Sequence, residues 1–316
     1  MRIAVMGAGA VGGYFGARLA ASGQDVSFIA RGEHLRAIQK HGLKVKSIRG
    51  DLQIHSQFTA DPHQIGPVDL VLFSVKSQDT EEAAKSLVPL MREQTAVLSL
   101  QNGVDNPDKV ARLWGSERTL AGVAYIAAQL TEPGVIEHSG AGRLVMGSLN
   151  AQGHETASNV QSIFASANVP CDISDDIVTV LWNKLAWNAP FCALSCLLRM
   201  TVGEILASNS LKDLIRTCVD EVRDAAQCRG IELPSSTAQD IIEFSRSIGY
   251  AKPSMLQDLE AGKPLEHEAL NGTVVKVLHQ VGKRAPINEI LYASLQHLDQ
   301  EIRAKRSGSK GMGQGN

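Results

Sequence analysis

The feature that most constrains the fold lies near the N-terminus, where three glycines stand in GxGxxG spacing. Residues 2–6 (RIAVM) are typical of a short buried strand, and Gly7, Gly9 and Gly12 precede a helix-like pattern that runs to Ala20. In such a unit the first glycine permits a tight turn, the second leaves room for a pyrophosphate, and the third lets the helix pack against the strand. The helix N-terminus then presents N–H groups to the phosphates. The spacing therefore predicts a dinucleotide-binding βαβ unit.

The same stretch has a second interpretation, as a signal peptide. Arg2 precedes a segment of small and apolar residues that contains AxA-like sites. However, the cationic region is a single residue, and Arg18 interrupts the apolar tail. We therefore favour the dinucleotide-binding interpretation.

The composition argues against several classes of protein. The chain of 316 residues is 44% hydrophobic, enough for two ordinary cores, and no apolar run approaches the roughly 20 residues that span a membrane. A formal net charge of -2 gives no electrostatic reason to expect nucleic acid or a membrane as a partner. The five cysteines include no CxxC pair, which favours reduced thiols in a cytoplasmic protein over a disulfide framework or a metal site.

The second predicted strand ends where an adenine ribose would lie. Residues 25–31 (DVSFIAR) continue the βαβ unit, and an NAD site usually has an acidic residue at this point for the ribose 2′-hydroxyl. This chain has Arg31 instead, which suits the 2′-phosphate of NADP. The alternative is a solvated Arg31 with ribose binding by Glu33. The arginine favours NADPH/NADP as the cofactor.

Two further predicted strands end in side chains that can bind a ligand. The apolar runs 68–76 (VDLVLFSVK) and 95–103 (TAVLSLQNG) end near Lys76 and Asn102. Ligands of open parallel sheets gather at the carboxyl ends of the strands. Taken singly, Lys76 could be a solvated loop lysine and Asn102 a turn former, but their shared position favours a site. Alternating runs within 120–149 are expected to complete the sheet.

The pattern changes between about residues 151 and 176, where strands give way to long helical segments. We place a domain boundary near Ser174, which predicts an α/β Rossmann-type domain over 1–174 and an all-α domain over 175–316. The Gly-rich end of the chain from Gly308 is expected to be disordered. The helical patterns of the second half cover, in order, residues 176–198, 204–229, 235–248, 264–283 and 286–305.

The first of these helices carries a candidate catalytic group. Lys184 and Asn188 are four residues apart and share a helix face, in a setting that includes Trp182 and Trp187. Desolvation would lower the pKa of such a lysine towards the range useful for proton transfer. Alternatively, Lys184 extends to solvent from an amphipathic helix. Pro190 is expected to kink the helix and free a backbone carbonyl.

Taken together, these motifs resemble those of the ketopantoate reductases (2-dehydropantoate 2-reductases). The resemblance runs in order from residue 1 to about residue 300, and its motifs in the second domain are more specific than the glycine turn. It rests on the glycine turn with Arg31, on SVK at 74–76, on QNG at 101–103, on WNKLAWN at 182–188 and on PSMLQDLEAGKPLEHEALNG at 253–272.

For the first domain, the resemblance implies a cofactor-binding role at each matching position. Arg31 would bind the 2′-phosphate and Lys76 would contact the cofactor, whereas Asn102 would touch both the nicotinamide ribose and the substrate. The pyrophosphate would lie on Gly7, Ala8, Gly9, Ala10, Val11 and Gly12.

For the second domain, the resemblance implies that Lys184 donates a proton, Asn188 binds substrate and Ser254 holds the substrate carboxylate. Glu266 would lie near the nicotinamide ribose or the substrate hydroxyl. From the residues alone, Ser254 would be a loop residue or a helix N-cap after Pro253, and Glu266 would be a surface carboxylate in a helix.

The reaction that the resemblance implies is the NADPH-dependent reduction of a 2-oxo acid to a 2-hydroxy acid, with ketopantoate to pantoate, in pantothenate and coenzyme A biosynthesis, expected first. Cys192 stands where the family usually has a second substrate asparagine, and Val202 where it can have a polar side chain. Fewer hydrogen bonds to the pantoyl hydroxyl would favour a less hydroxylated or more apolar oxo acid. A paralogue that reduces another 2-oxo acid is therefore an alternative.

Two other functions are compatible with part of the sequence. A non-catalytic NADP-binding sensor would not need Lys184. An NAD-linked 3-hydroxy acid dehydrogenase is disfavoured by Arg31 and by the block from Ser254 to Glu266. The expected partners are a small-molecule 2-oxo acid and, through the long C-terminal helices, a second copy in a homodimer.

Overall fold

The computed structural model describes the backbone of residues 1–311 and the side chains of residues 1–306. The chain divides into two compact units, unit 1 (Met1–Leu181) and unit 2 (Trp182–Asn316). The domain boundary near Ser174 stays a prediction, because Ser174 lies in the loop before a helix and the division between the units falls inside that helix.

Unit 1 is built around one sheet of ten described strands. Its central part is parallel, with β1 between β2 and β6, and with β7 and β8 following in that order. The strands are β1 (Arg2–Met6), β2 (Asp25–Ile29), β3 (Leu43–Ser47), β4 (Leu52–Ile54), β5 (Gln57–Thr59), β6 (Leu70–Phe73), β7 (Ala96–Ser99), β8 (Thr119–Glu132), β9 (Val135–Ser148) and β10 (Cys171–Ile173).

The helices of unit 1 cover this sheet, and its core includes two large apolar clusters and a smaller one. Every residue of β6 and β7 is buried, because a parallel sheet is covered on both faces. The small residues of the glycine-rich first helix let Tyr14 and Phe15 pack into the larger cluster with Phe28. The helices are α1 (Ala10–Ala21), α2 (Gly32–His41), α3 (Thr80–Lys85), α4 (Asn106–Trp114) and α5 (His154–Ser166).

Unit 2 is helical throughout its described secondary structure. Its first helix, α6, begins in unit 1 and runs without interruption through Pro190. A π-helical turn at Glu268–Gly272 precedes α11. The helices are α6 (Ile177–Leu198), α7 (Val202–Ala207), α8 (Asn209–Gln227), α9 (Thr237–Arg246), α10 (Ser254–Glu260), α11 (Thr273–Gln280) and α12 (Pro286–Gly311).

The fold class predicted from the sequence is confirmed, but some helix bounds were wrong. The single helix expected over 204–229 is two helices, because Ser208 ends α7 and its side chain accepts a hydrogen bond from the N–H of Leu211 to cap α8. The helix expected over 264–283 begins only at the π-helical turn. The predicted disordered tail starts inside α12, and residues 312–316 lie outside the described residues.

Among the described residues, none of the helices combines the length and the apolar character needed to cross a membrane.

Candidate active site

The glycine turn after β1 has the geometry that a bound pyrophosphate requires. Gly7 has φ +96°, and a Cβ there would lie 2.8 Å from the backbone N of Val75. At Gly12 a Cβ would lie 2.4 Å from the carbonyl oxygen of Gly7. A Cβ on Gly9 would meet no atom within 4 Å. Two glycines are therefore required by the protein itself, whereas the third faces open space in which a ligand can approach the backbone.

The start of α1 adds the electrostatic part of this site. The helix begins at Ala10, and its first N–H groups have no acceptor within the helix. No acidic side chain lies in this first turn, which is wholly described. The positive end of the helix dipole therefore favours an anion here, and the turn fits a dinucleotide.

Three neighbours hold the backbone of the turn. The carbonyl of Ile29, at the end of β2, accepts hydrogen bonds from the N–H groups of Gly7 and Ala8 at 3.2 and 3.0 Å. Ser74 donates to the carbonyl of Gly7 at 2.8 Å. His34 Nδ1 accepts from the N–H of Gly134 at 3.0 Å, so the ring proton is on Nε2, which donates to the carbonyl of Ala8 at 2.8 Å.

Arg31 lies two residues beyond the strand end that contacts the glycine turn. It is exposed, and its extended backbone forms the N-cap of α2 without a side-chain capping bond. Glu33, the alternative ribose ligand, accepts a hydrogen bond from Arg36 Nε at 3.2 Å, and this arginine holds the pKa of Glu33 below its usual value. The Glu33 carboxylate is therefore already engaged within its own helix, which favours Arg31 as the residue that meets the ribose.

Lys76 and Asn102 follow neighbouring parallel strands, β6 and β7, as the sequence predicted. Both side chains are half-buried. The residue after Lys76, Ser77, donates its hydroxyl to the carbonyl of Asn102 at 3.1 Å. The two loops that carry these candidate ligands are thus joined directly.

A buried polar network, which the sequence reasoning missed, completes this connection. Asn106 has no exposed surface, and its side chain donates to the carbonyl of Asn102 at 2.6 Å and to Ser77 Oγ at 3.2 Å. Thr80 donates to Asn106 Oδ1 at 2.9 Å, and Gln101 Nε2 donates to Thr80 at 2.7 Å. The only sequence signal was a run of polar residues close to apolar strands, and that pattern is typical of ordinary loops as well.

In unit 2, α6 carries Lys184 and Asn188 one turn apart. Lys184 is half-buried, and Asn188 is only 4% exposed. Trp187 lies between them, donates through Nε1 to Ser245 Oγ at 2.9 Å and stacks on Phe191 with ring centroids 5.2 Å apart. The helix is therefore fixed against α9, and it carries an amine and an amide one turn apart.

Cys192 lies one turn beyond Asn188 on α6. Cys192 is 1% exposed and is followed one turn later by Cys196, which is completely buried. Burial raises the pKa of Cys196, and the neighbouring Cys192 raises it further. This part of α6 therefore offers thiols, which are weak hydrogen-bond donors.

The remaining candidates are Ser254, in the short helix α10, and Glu266, in the loop that follows this helix. Ser254 is exposed as the first residue of α10 and follows Pro253, so the helix N-cap that the residues alone suggested is Pro253 instead. Lys252 binds Glu260 across α10 at 2.8 Å. The ion pair spans the helix that presents the Ser254 hydroxyl.

Glu266 differs most from what the residues alone suggested. It is 6% exposed, not a surface carboxylate, and it lies in the loop before the π-helical turn instead of in a helix. Its neighbour Leu265 donates its N–H to the buried carboxylate of Asp299 at 2.7 Å, which fixes the loop against α12. Its burial, which the neighbouring residues in the sequence did not suggest, keeps Glu266 among the candidate site residues.

The chain matches a family model in two consecutive parts. Residues 3–151 match "Ketopantoate reductase PanE/ApbA", and residues 176–299 match "Ketopantoate reductase PanE/ApbA C terminal". The first match covers the glycine turn, Arg31, Lys76 and Asn102. The second covers all four candidates of unit 2.

Individual relatives agree with this match. A 2-dehydropantoate 2-reductase of Mesorhizobium japonicum is 30% identical over 94% of this chain and 98% of its own length. The crystal structure of a 2-dehydropantoate 2-reductase from Geobacter metallireducens is 37% identical with a TM-score of 0.89, covering 94% of this chain and 99% of that one. D-mandelate dehydrogenase, solved with NADH and anilino(oxo)acetate, has the same fold at 23% identity and a TM-score of 0.89, covering 96% and 99% of the two chains.

Proposed function

Because the chain belongs to the ketopantoate reductase PanE/ApbA family and is thus an oxidoreductase, we propose that it reduces ketopantoate to pantoate with NADPH. In this proposal it serves pantothenate and coenzyme A biosynthesis. The observation that carries the proposal is the pairing on α6 of a half-buried Lys184 with a buried Asn188. An amine and an amide on one helix face suit a ketone that must be oriented and then protonated.

The residues of unit 1 hold the cofactor in this proposal. The backbone from Gly7 to Gly12 takes the pyrophosphate, since the open space at Gly9 admits it and the start of α1 favours its charge. Arg31 binds the ribose 2′-phosphate, because a guanidinium matches phosphate oxygens in geometry and charge. Lys76 and Asn102 contact the nicotinamide half from the adjoining strand ends.

The residues of unit 2 act on the oxo acid. When the cofactor is bound, its nicotinamide ring supplies the hydride. Lys184 stabilises the negative charge that develops on the ketone oxygen and then donates a proton from Nζ. Asn188 and Ser254 orient the substrate, with the Ser254 hydroxyl on the carboxylate and the Asn188 amide on the ketone side. Glu266, buried in its loop, accepts from a substrate or ribose hydroxyl.

A second substrate class is favoured by one observation. The buried Cys192 offers no amide to the hydroxyl of a pantoyl group. An oxo acid without that hydroxyl would lose nothing at this position. The fold accommodates such chemistry, since D-mandelate dehydrogenase shares it.

Steady-state turnover tests the proposed function. Purified protein is given NADPH and a panel of 2-oxo acids that includes ketopantoate and phenylglyoxylate, beside Lys184→Ala and the control Lys276→Ala, which removes an exposed lysine of α11. We expect strong turnover with ketopantoate, lost in Lys184→Ala and kept in the control. Turnover with other oxo acids alone would assign the second substrate class. Tight NADPH binding without any turnover would assign a sensor.

A further inference from the structure

A chain of buried polar side chains joins three helices of unit 2 to the π-helical turn. Asn271, in that turn, and Asn288, in α12, have no exposed surface, and Glu221 of α8 is 8% exposed. Polar groups in such positions are stable only when they are hydrogen-bonded. Their bonds fix the orientation of each member in turn.

The carboxylate of Glu221 determines the orientation of the Asn288 side-chain amide. It accepts hydrogen bonds from the backbone N–H groups of Ile287 and Asn288, at 2.9 and 2.8 Å, in the first turn of α12. It also accepts from Asn288 Nδ2 at 2.7 Å. A carboxylate with these donors is an acceptor only, so Asn288 must present its nitrogen to Glu221 and its oxygen to the opposite side.

Asn271 meets that oxygen. Its Nδ2 donates to Asn288 Oδ1 at 3.0 Å and to the backbone carbonyl of Ala189 at 3.0 Å. Asn271 Oδ1 is buried and has no hydrogen-bond partner among the described residues. A buried acceptor without a donor is unfavourable, so the network holds the amide in an orientation that benefits its two donated bonds at the expense of its oxygen.

The bond to Ala189 reaches the part of α6 that carries the candidate substrate ligand. Ala189 directly follows Asn188 and precedes Pro190. A proline inside a helix cannot donate to the carbonyl four residues earlier, which weakens the helix at this turn. The carbonyl that lacks this donor is that of Ala186, and Asn271 adds a hydrogen bond from outside the helix to the carbonyl of Ala189, beside the proline.

We propose that Asn271 is a positioning residue that sets Asn188 on α6 relative to the loop of Glu266. The inference rests on the proposed function for the roles of Asn188 and Glu266. Asn271 follows Glu266 by five residues in the sequence and binds the backbone beside Asn188, so one amide ties both segments together. Through Asn288 and Glu221, the same amide is anchored to α12 and α8.

The test compares Asn271→Leu with Val219→Ala. Leucine has a similar volume and removes both donated bonds, whereas Val219, in α8 and completely buried, makes only apolar contacts through its side chain. We expect Asn271→Leu to lower kcat/KM for the oxo acid by about tenfold or more, chiefly through KM, because each lost bond loosens the turn of Asn188. The dissociation constant of NADPH should change less than about twofold, since the proposed cofactor residues other than Glu266 lie in unit 1.

A second readout does not depend on activity. Amide hydrogen exchange over residues 186–193 should accelerate in Asn271→Leu and stay at the parental rate in Val219→Ala, although both variants lose thermal stability. An unchanged KM with unchanged exchange over this turn would overturn the proposal. So would an equal kinetic loss in Val219→Ala.

Two further results separate a failure of the proposed function, or of folding, from a failure of the proposed role of Asn271. If the parental protein reduces no 2-oxo acid, the proposed function fails, whereas the exchange rates still decide whether Asn271 holds the α6 turn. If Asn271→Leu does not fold, Asn271→Ser replaces it, because a hydroxyl keeps one donor and should give the same pattern with a smaller effect.

Discussion

The hydroxyl of Ser74 donates to the carbonyl of Gly7 at 2.8 Å and thereby joins the end of β6 to the glycine turn after β1. The same hydroxyl would lie 2.1 Å from a Cβ placed on Gly12. The turn, the start of α1 and the loop before Lys76 are therefore packed against one another without space for a methyl group. The shape of the cofactor cradle is set by this contact as much as by the glycines.

The first prediction contrasts two glycines of the turn. Gly9→Ala should leave the free energy of unfolding within about 1 kcal/mol of the parent, because its φ of -74° suits alanine and the added methyl meets no protein atom. It should nevertheless abolish tight NADPH binding, since the methyl occupies the approach of the pyrophosphate. Gly12→Ala should cost about 1–3 kcal/mol of stability through overpacking.

Urea unfolding measures the free energy of unfolding of the two variants, and NADPH fluorescence titration measures how tightly each binds the cofactor. Tight NADPH binding by Gly9→Ala would show that the pyrophosphate does not bind at this turn.

The second prediction concerns the choice between NADPH and NADH. Arg31→Ala should weaken NADPH binding by about 10- to 100-fold, the worth of a charge-assisted hydrogen bond to phosphate, and should barely change NADH binding. Arg36→Ala is the matched control, because that arginine lies in the same helix and is paired with Glu33. Titration of each variant with both cofactors measures the ratio of the dissociation constants of NADPH and NADH. Equal losses of affinity for the two cofactors would show that Arg31 does not bind the 2′-phosphate.

Local patterns were enough to predict the start of the fold. The strand, turn and helix over residues 2–20 follow from hydrophobic periodicity and glycine spacing, and the structure has β1 and α1 there. The position of Lys76 and Asn102 at neighbouring strand ends also followed, because parallel strands share an edge. These features depend on residues close together in the sequence.

Features that depend on distant contacts could not be predicted in this way. Glu266 stands beside His267 and Glu268, a surface-like pattern, yet it is buried because its loop is held by Asp299 of α12. Asn106 and Ser77 meet across 29 residues of sequence. In both cases tertiary packing decides burial, and no periodic pattern records it.

The third prediction tests the network between the strand ends. Asn106→Leu removes the donor to the carbonyl of the half-buried Asn102 and the acceptor of the buried Thr80. Because buried partners are left unsatisfied, we expect a loss of about 2–4 kcal/mol in the free energy of unfolding. Any protein that stays folded should also bind NADPH more weakly, since Asn106 no longer bridges the loops of Lys76 and Asn102, which the Ser77 hydroxyl still joins. Asn150→Leu, which breaks a partly buried bond to Ser116, is the control. A loss of unfolding free energy no larger than that of the control would show that the network adds little to stability.

The fourth prediction concerns the dependence of stability on pH through His138, which is 1% exposed and packs on Tyr14 with ring centroids 4.3 Å apart. Burial lowers the pKa of His138, and the positive charges of Arg49 and Arg18 lower it further. The native pKa is therefore below the unfolded value of about 6.5, so between the two values the unfolded chain binds more protons. Stability should fall as the pH drops from about 6.5 through the native pKa, by at most about 1.4 kcal/mol per pH unit for one proton.

His138→Gln should remove this part of the pH dependence, because glutamine does not titrate. The comparison is the difference in unfolding free energy between about pH 5 and about pH 7.5, since the lost packing on Tyr14 lowers stability at both values alike. His55→Gln is the control, because His55 is exposed and its loss removes no buried group. If His138→Gln keeps the parental difference while His55→Gln does too, other groups govern acid stability. If only His138→Gln flattens it, the buried ring on β9 is the group whose protonation opposes folding.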